Sequence, residues 1–172
     1  MGEVVKTRKF SVIRTEIPTA DGGAREFEYI RHGGAAVVLP LLSENELLMI
    51  RNHRPAIGRE LWELPAGTLD KPCESPQDAA GRELEEETGY RSSDLTLLCE
   101  FYPSPGFLTE KLFAFVARNL VQTQQKLEPT ERITVHRMSC DEAVQMAYDG
   151  RIEDAKTLIV LMRYDHLRRT NG

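Results

Sequence analysis

A ten-residue segment, GRELEEETGY (residues 81–90), carries four glutamates in a chain of 172 residues. On a helix that turns 100° per residue, Glu83, Glu86 and Glu87 share one arc of about 100°, beside the apolar stripe of the same helix. Glu85 points to the far side of that stripe. Carboxylates crowded at the edge of a core repel one another and lose hydration, so this arc requires a physical explanation.

Two interpretations of the acidic arc remain open from the residues alone. In the first, a divalent cation lies among the carboxylates, and an oxygen-only ligand set without His or Cys nearby in sequence favours a hard ion, Mg²⁺ or Mn²⁺. In the second, the helix is a structural salt-bridge helix in which Arg82 pairs with Glu86 across one turn. Upstream, ELPAG (residues 63–67) predicts a strand end and a glycine loop that crosses to this helix, and Glu74 precedes the helix.

Composition and charge narrow the range of partners. The net charge is −5 and no basic block is present, so we expect no nucleic-acid partner. Three cysteines show no metal-ligand spacing, which favours incidental thiols in a reducing compartment. The first ten residues lack the apolar segment of a secretory signal, and no apolar run approaches the ~20 residues of a membrane span. We therefore expect a cytoplasmic protein without a membrane partner.

The elements that must position these residues are mostly strands. Residues 10–17 and 25–32 alternate in polarity and predict an N-terminal hairpin, and residues 35–42 form a continuous apolar run that indicates a buried strand. Further strands are predicted at 46–54, within 95–106 and 110–120, and at 132–139, with helices at 140–149 and 153–169. Mixed strands with helices packed against them predict a single α/β or α+β sandwich domain.

The acidic helix has the clearest boundaries in the chain. Ser75 is suited to cap its N-terminus, Pro76 fits the first turn, and Asp78 stands where a capping box places its acid. Gly89 predicts the C-terminal end. The acidic arc therefore belongs to a helix over residues 76–88.

The segment resembles the signature of the Nudix hydrolases. That signature is a Gly, five residues, a Glu, seven residues, and then Arg-Glu-apolar-x-Glu-Glu-x-Gly-apolar. The matching residues are Gly67, Glu74, Arg82, Glu83, Leu84, Glu86, Glu87, Gly89 and Tyr90. The spacing departs at one place, because six residues rather than five separate the first two positions, within the loop TLDKPC.

The resemblance extends to the ADP-ribose pyrophosphatase-like branch of that family. SPGF (residues 104–107) follows the signature with Pro105 at the position where the branch carries a proline, and GRIEDAKTLIVL resembles the end of the branch. The resemblance implies an α/β Nudix fold, an α/β/α sandwich with a mixed sheet. It also implies an N-terminal β-hairpin extension (residues 1–32) that forms a homodimer, ahead of a core over residues 33–172.

The resemblance further implies roles for the acidic residues. Glu83 and Glu87 would be the principal ligands of Mg²⁺, or of Mn²⁺, with support from Glu86 and the carbonyl of Ala66. Arg82 would orient a carboxylate, and Glu74 has a supporting position. The general base would come from KLEPTERITV, in which Glu131 matches the expected position better than Glu128, so Glu86, Glu131 and Arg82 are the predicted catalytic residues.

The implied reaction is hydrolysis of the pyrophosphate bond of a nucleoside diphosphate sugar, with ADP-ribose the expected substrate. Arg54 is predicted to hold the diphosphate, with Glu63, Gly106 and Glu110 as further substrate-binding residues, Glu110 at the terminal ribose. The alternatives are another sugar nucleotide such as GDP-mannose, a non-catalytic nucleotide-sensing module, and a nucleotide sanitiser or decapping enzyme of the same fold. The intact carboxylates argue against the sensing module, and SPGF argues against the last alternative.

Overall fold

The computed structural model describes residues 2–170. Its strands are β1 (Gly2–Lys6), β2 (Phe10–Pro18), β3 (Ala24–His32), β4 (Ala35–Ser43), β5 (Glu46–Arg54), β6 (Arg59–Glu63), β7 (Ala66–Thr68), β8 (Tyr90–Arg91), β9 (Asp94–Phe101), β10 (Leu112–Arg118), β11 (Val121–Gln122) and β12 (Ile133–Ser139). Its helices are α1 (Pro76–Thr88), α2 (Cys140–Tyr148) and α3 (Ala155–Thr170). Within residues 2–170, no helix has the length and apolar character required to cross a membrane.

A mixed sheet of seven strands forms the centre of the fold. Its main path is β12-β5-β4-β10-β9, with β6 paired to β5 and β7 paired to β4. The β4 and β10 strands run parallel, whereas the other neighbours along the path are antiparallel. The predicted strands and helices of the core are therefore present, and β7, β8 and β11 are short additions that the sequence patterns did not indicate.

The buried strand β4 shows why helices cover both faces of this sheet. Its side chains alternate between two apolar clusters: Ala36 and Val38 pack with α1, whereas Val37 and Leu39 pack with residues of α2 and α3. A strand that is apolar on both faces must be covered on both. The result is the α/β/α sandwich that the family resemblance implied, with α1 on one face and α2 and α3 on the other.

The N-terminal extension is a separate three-stranded antiparallel sheet in the order β1-β2-β3. The sequence predicted the β2–β3 hairpin but not β1, a five-residue edge strand whose residues are all exposed and whose short length leaves little alternation to detect. The N-terminal sheet contacts the core at the turn after β9. There the N–H of Ile30 donates a hydrogen bond of 2.7 Å to the carbonyl of Phe107, and Ile30 forms an isolated parallel β-bridge with Leu108.

Both ends of α1 are fixed as the sequence predicts. The Ser75 hydroxyl accepts a hydrogen bond of 3.1 Å from the backbone N–H of Asp78, and Pro76 occupies the first turn. At the other end, Gly89 adopts φ 71° and its N–H donates to the carbonyl of Glu85. The segment after β11 then packs on this end, with the Lys126 N–H donating to the carbonyl of Glu86 at 2.8 Å. The acidic helix therefore has little freedom to shift along its axis.

We predict that Gly89→Ala destabilises the protein more than Gly150→Ala. Both glycines have positive φ, 71° and 82°, where an L-residue costs about 1–2 kcal/mol. A Cβ at Gly89 would also lie 2.9 Å from the backbone N of Gln125, whereas Gly150 has open space around it, so we expect a total cost of about 2–5 kcal/mol at Gly89. Urea unfolding of both variants measures the difference, and equal losses would contradict the packing described here.

Candidate active site

Three carboxylates of α1 line one cavity of about 410 Å³. Glu83, Glu86 and Glu87 all contribute to its wall, and Glu85 does not, as the helical spacing predicts. The other walls come from the end of β5, from β7 and the loop after it, and from residues 126–131. The cavity therefore lies where the acidic side of α1 meets the ends of two strands.

The ELPAG loop fixes the positions of two of these carboxylates. The Ala66 N–H donates a hydrogen bond of 2.9 Å to Oε2 of Glu87. Glu83 lies directly against Gly67, where an added Cβ would stand 1.9 Å from the carboxylate. A residue without a side chain is therefore required at Gly67, because only glycine admits so close an approach. Gly67 and Glu83, which are separated in the signature sequence, are therefore in contact in the fold.

Arg82 holds three glutamates with one guanidinium. Its Nε and Nη2 donate to the two oxygens of Glu74 at 2.8 and 2.9 Å. Its Nη1 donates to Glu83 at 2.5 Å and to Glu86 at 2.9 Å. The hydrogen bonds from Arg82 outweigh desolvation and lower the pKa of Glu74. The inserted residue in the preceding loop therefore does not prevent Glu74 from reaching Arg82, and Cys73 adopts a left-handed φ of 63° there.

Burial makes the charged forms of Glu83 and Glu87 costly. Desolvation raises the pKa of Glu87 to about 8, against the hydrogen bond from Ala66, and the negative charges of Glu83 and Glu131 raise it further. Desolvation also raises the pKa of Glu83, Arg82 opposes that rise, and Glu86 and Glu131 add to it. A positive charge placed among these carboxylates would favour their charged forms and so oppose both shifts.

The residues fit a hard divalent cation in donor type and charge. Carboxylate oxygens of three buried or half-buried glutamates face one cavity that Ala66 also lines, and oxygen ligands of this kind suit Mg²⁺ or Mn²⁺. Within residues 2–170, no three acidic, His or Cys side chains stand in a ligating arrangement. Glu83 and Glu86 each give one oxygen to Arg82, and their other oxygens have no hydrogen-bond partner among residues 2–170, so these oxygens remain for a cation.

Both candidate loop acids reach the same cavity. Glu128 and Glu131 line its outer wall, and Oε2 of Glu131 accepts a hydrogen bond of 2.7 Å from the backbone N–H of Glu128. The charge of Glu131 acts on both buried glutamates of α1. In the turn between β1 and β2, Arg8 lies 4.0 Å from Glu128.

Arg54 lies at the boundary between this cavity and a second one of about 270 Å³, because it lines both. Glu110 lines the second cavity, and His32 Nδ1 lies 3.5 Å from its carboxylate. Glu63 is fully buried and binds Arg54 with both oxygens. Gly106 lies in an exposed turn and is not among the residues that line either cavity.

Sequence reasoning missed several residues that the fold brings to these cavities. Lys9, Lys71 and Lys126 line the acidic cavity, and Asp154 and Lys156 line the second. The lysines carry no local signal, because scattered surface lysines have no spacing to detect. For Asp154 and Lys156 a signal existed, since the motif GRIEDAKTLIVL contains both.

The comparisons with known proteins agree with this geometry. Residues 31–160 match the family model described as the NUDIX domain. The chain is 36% identical over 162 residues to the methanol dehydrogenase activator of Bacillus methanolicus, with 93% of this chain and 84% of the relative covered. It is 35% identical over 144 residues to the ADP-ribose pyrophosphatase of Bacillus subtilis, with coverage of 83% and 77%.

A solved structure shows the same fold. A crystal structure of an ADP compounds hydrolase superposes with a TM-score of 0.85 at 23% identity, covering 99% of this chain and 92% of the other. The resemblance of the signature residues, the family match over most of the chain and the two relatives above 30% identity lead to one conclusion. The chain belongs to the Nudix family of hydrolases.

Proposed function

We propose that this protein is an Mg²⁺-dependent pyrophosphatase that cleaves ADP-ribose to AMP and ribose 5-phosphate. The observation that carries the proposal is the cavity in which three carboxylates of α1 face Arg54. Hydrolases of this family use divalent cations, and the oxygen-only donor set favours Mg²⁺. Several relatives support the substrate class by name, as ADP-ribose pyrophosphatases and GDP-mannose pyrophosphatases.

The carboxylates define where the cation would lie. Glu83, Glu86 and Glu87, with the carbonyl of Ala66, would hold it. When bound, a divalent cation neutralises phosphate charge and lowers the pKa of a bound water. Arg82, held by Glu74, orients Glu83 and Glu86 through its hydrogen bonds to them.

The remaining polar residues bind the substrate and move a proton. Arg54 offers a guanidinium to the diphosphate at the boundary of the two cavities, a contact that planar donors make well. Glu131 is the proposed general base, since it lines the acidic cavity on a loop outside α1. Glu110 lines the second cavity, which we assign to the sugar. Glu63 contributes through Arg54, because its own side chain is buried.

A substrate panel tests the proposed function directly. With Mg²⁺ present, we expect ADP-ribose to have the highest kcat/KM, ahead of GDP-mannose and NADH, and nucleoside triphosphates to be poor substrates. The products, AMP and ribose 5-phosphate, are separated by ion-exchange chromatography. GDP-mannose above ADP-ribose would support the other sugar nucleotide, and triphosphates above both would contradict the proposal.

Single Glu→Gln substitutions on α1 should distinguish the glutamates that line the cavity from Glu85, which does not. We predict that Glu87→Gln and Glu83→Gln lower kcat by at least about 10²-fold, whereas Glu85→Gln stays close to wild type because Glu85 does not line the cavity. Circular dichroism confirms that each variant is folded before turnover is measured. Equal losses at Glu85 and Glu87 would show that the cluster acts as bulk charge.

The metal-free protein should show the cost of ionising Glu87. The folded pKa of about 8 lies above the ordinary Glu value of about 4.3, so the folded state retains a proton that the unfolded chain releases. The stability that this group contributes is present at low pH and is lost as pH rises through the folded pKa. In EDTA, Glu87→Gln should therefore melt higher than wild type at pH ~9 and similarly to it at pH ~4, below the unfolded pKa. A difference in Tm that does not vary with pH would contradict the assigned shift.

We also propose that the N-terminal sheet forms a homodimer. Several of its apolar side chains are exposed, including Val4 and Val5 at about half of their surface. Among residues 2–32, Ile13 is the only apolar residue that is buried. Strand β1 pairs with β2 alone among residues 2–170, so its outer edge is free for another strand. Apolar side chains and a free edge on one small sheet favour association with a second copy.

Light scattering of the intact chain should give twice the chain mass. We predict that Val5→Glu shifts the protein towards monomer, because a charge replaces an exposed apolar contact on β1. Ile57→Glu is the matched control, since Ile57 is equally exposed but lies in the β5–β6 turn. Removal of residues 1–32 should give monomeric or unstable protein. An intact chain that runs as a monomer would exclude the dimer.

A further inference from the structure

A fully buried carboxylate lies beneath Arg54 and is bound by two cations. Glu63 has 0% of its surface exposed. Its Oε1 accepts from Nε of Arg54 at 2.7 Å, and its Oε2 accepts from Nη2 of Arg54 at 2.5 Å and from Nζ of Lys156 at 2.6 Å. A buried carboxylate is stable only when it is paired in this way. Glu63 therefore has no capacity to contact a substrate and must act through its partners.

Lys156 connects this carboxylate to the first turn of α3. Its Nζ also donates to Asp154 at 2.9 Å. Asp154 in turn caps α3, since its Oδ2 accepts from the N–H and the hydroxyl of Thr157 at 3.0 and 2.6 Å. The Thr157 hydroxyl oxygen accepts from the N–H of Leu64 at 2.9 Å. Hydrogen bonds therefore join the start of α3 to two neighbouring residues of the ELPAG segment, Glu63 and Leu64.

The hydrogen bonds to Glu63 determine which donors of the Arg54 guanidinium remain available to a ligand. Glu63 takes its Nε and Nη2, and Nη1 has no hydrogen-bond partner among residues 2–170. The guanidinium lines both cavities and lies in the fields of Glu87 and Asp154. Arg54, Lys156, Glu63 and Asp154 together carry no net charge, and without Lys156 they would carry one net negative charge beside Arg54. Lys156 therefore allows Glu63 to fix Arg54 without leaving a net negative charge that repels an anion.

We propose that Lys156 is a positioning residue for substrate binding that acts through Glu63 on Arg54. The inference rests on the proposed function, because it takes the diphosphate as the group that Arg54 holds. Both assigned donor contacts of Lys156 are carboxylates of the protein, and its side chain is largely buried. Its effect on an anionic ligand is therefore exerted through the orientation and net charge of the cluster at the end of β5.

The first experiment replaces Lys156 and separates binding from turnover. For Lys156→Met we expect KM for ADP-ribose to rise about tenfold with kcat within about threefold of wild type, since Arg54 contributes equally to ground and transition states. Lys156→Arg should restore most of the loss, because it retains the charge. Calorimetric titration of the metal-free protein with ADP should show the same loss of affinity in EDTA. Unchanged KM and unchanged ADP affinity would overturn the proposal.

Glu153→Gln is the matched control. It breaks the exposed Arg59–Glu153 ion pair, which joins β6 to the same loop before α3 but does not include Glu63. We expect this variant to bind ADP as wild type does. An equal loss of ADP affinity in Glu153→Gln and Lys156→Met would show that any loosening of the loop suffices and would also overturn the proposal.

A double-mutant cycle tests whether the effect passes through Arg54. On an Arg54→Ala background, Lys156→Met should cause little further loss of ADP affinity, because residues that act as one unit are not additive. Full additivity would mean that Lys156 acts directly or only on stability. If Lys156→Met is recovered unfolded, Lys156→Gln, which can still donate to Glu63, is used in the same cycle with the same expectation.

The metal-free titration also separates this proposal from the proposed function. A wild type that hydrolyses no member of the substrate panel, but whose ADP affinity falls in Lys156→Met, would reject the proposed reaction and retain the positioning role. A wild type that hydrolyses ADP-ribose with KM and ADP affinity unaffected by Lys156→Met would retain the reaction and reject the positioning role.

Discussion

The repulsion among the carboxylates of α1 is the constraint on which the rest of the structure depends. Glu83 and Glu87 are buried at the edge of the core, where their charged forms lose hydration and oppose each other. Arg82 compensates part of this charge by holding Glu74, Glu83 and Glu86. Burial raises the pKa of Glu87, and the uncompensated charges of Glu83 and Glu131 raise it further. The same uncompensated charge would attract a cation.

Holding such a cluster together requires rigid surroundings, and three separate segments supply them. The ELPAG loop brings the N–H of Ala66 to Glu87 and leaves space at Gly67 for Glu83. The segment after β11 caps the end of α1 and approaches Gly89 closely. Apolar packing of α1 on β4 and β10 then limits lateral movement of the helix across the sheet. Each segment limits one direction in which the repelling side chains could move apart.

Local patterns in the sequence were sufficient to predict α1, its caps and its acidic face. Ser75, Pro76 and Gly89 act on their immediate neighbours, and the helical period places Glu83, Glu86 and Glu87 together without reference to the fold. The contact between Lys156 and Glu63 spans 93 residues and depends on how α3 packs against the sheet, so no local pattern contains it. Strand β1 was missed for a different reason, because five exposed residues show no buried face.

Two acidic clusters therefore meet at Arg54 and differ in how their charge is balanced. On one side, Glu63 and Asp154 are offset by Arg54, Lys156 and the first turn of α3. On the other side, Arg82 is the one basic residue among residues 2–170 that donates hydrogen bonds to Glu83 and Glu86. Glu87 and Glu131 add further negative charge there. A diphosphate placed across Arg54 would meet a neutralised surface at one phosphate and a cation-requiring surface at the other. The two phosphates of a bound diphosphate would then experience different fields, so these two surfaces would favour one orientation of an asymmetric substrate.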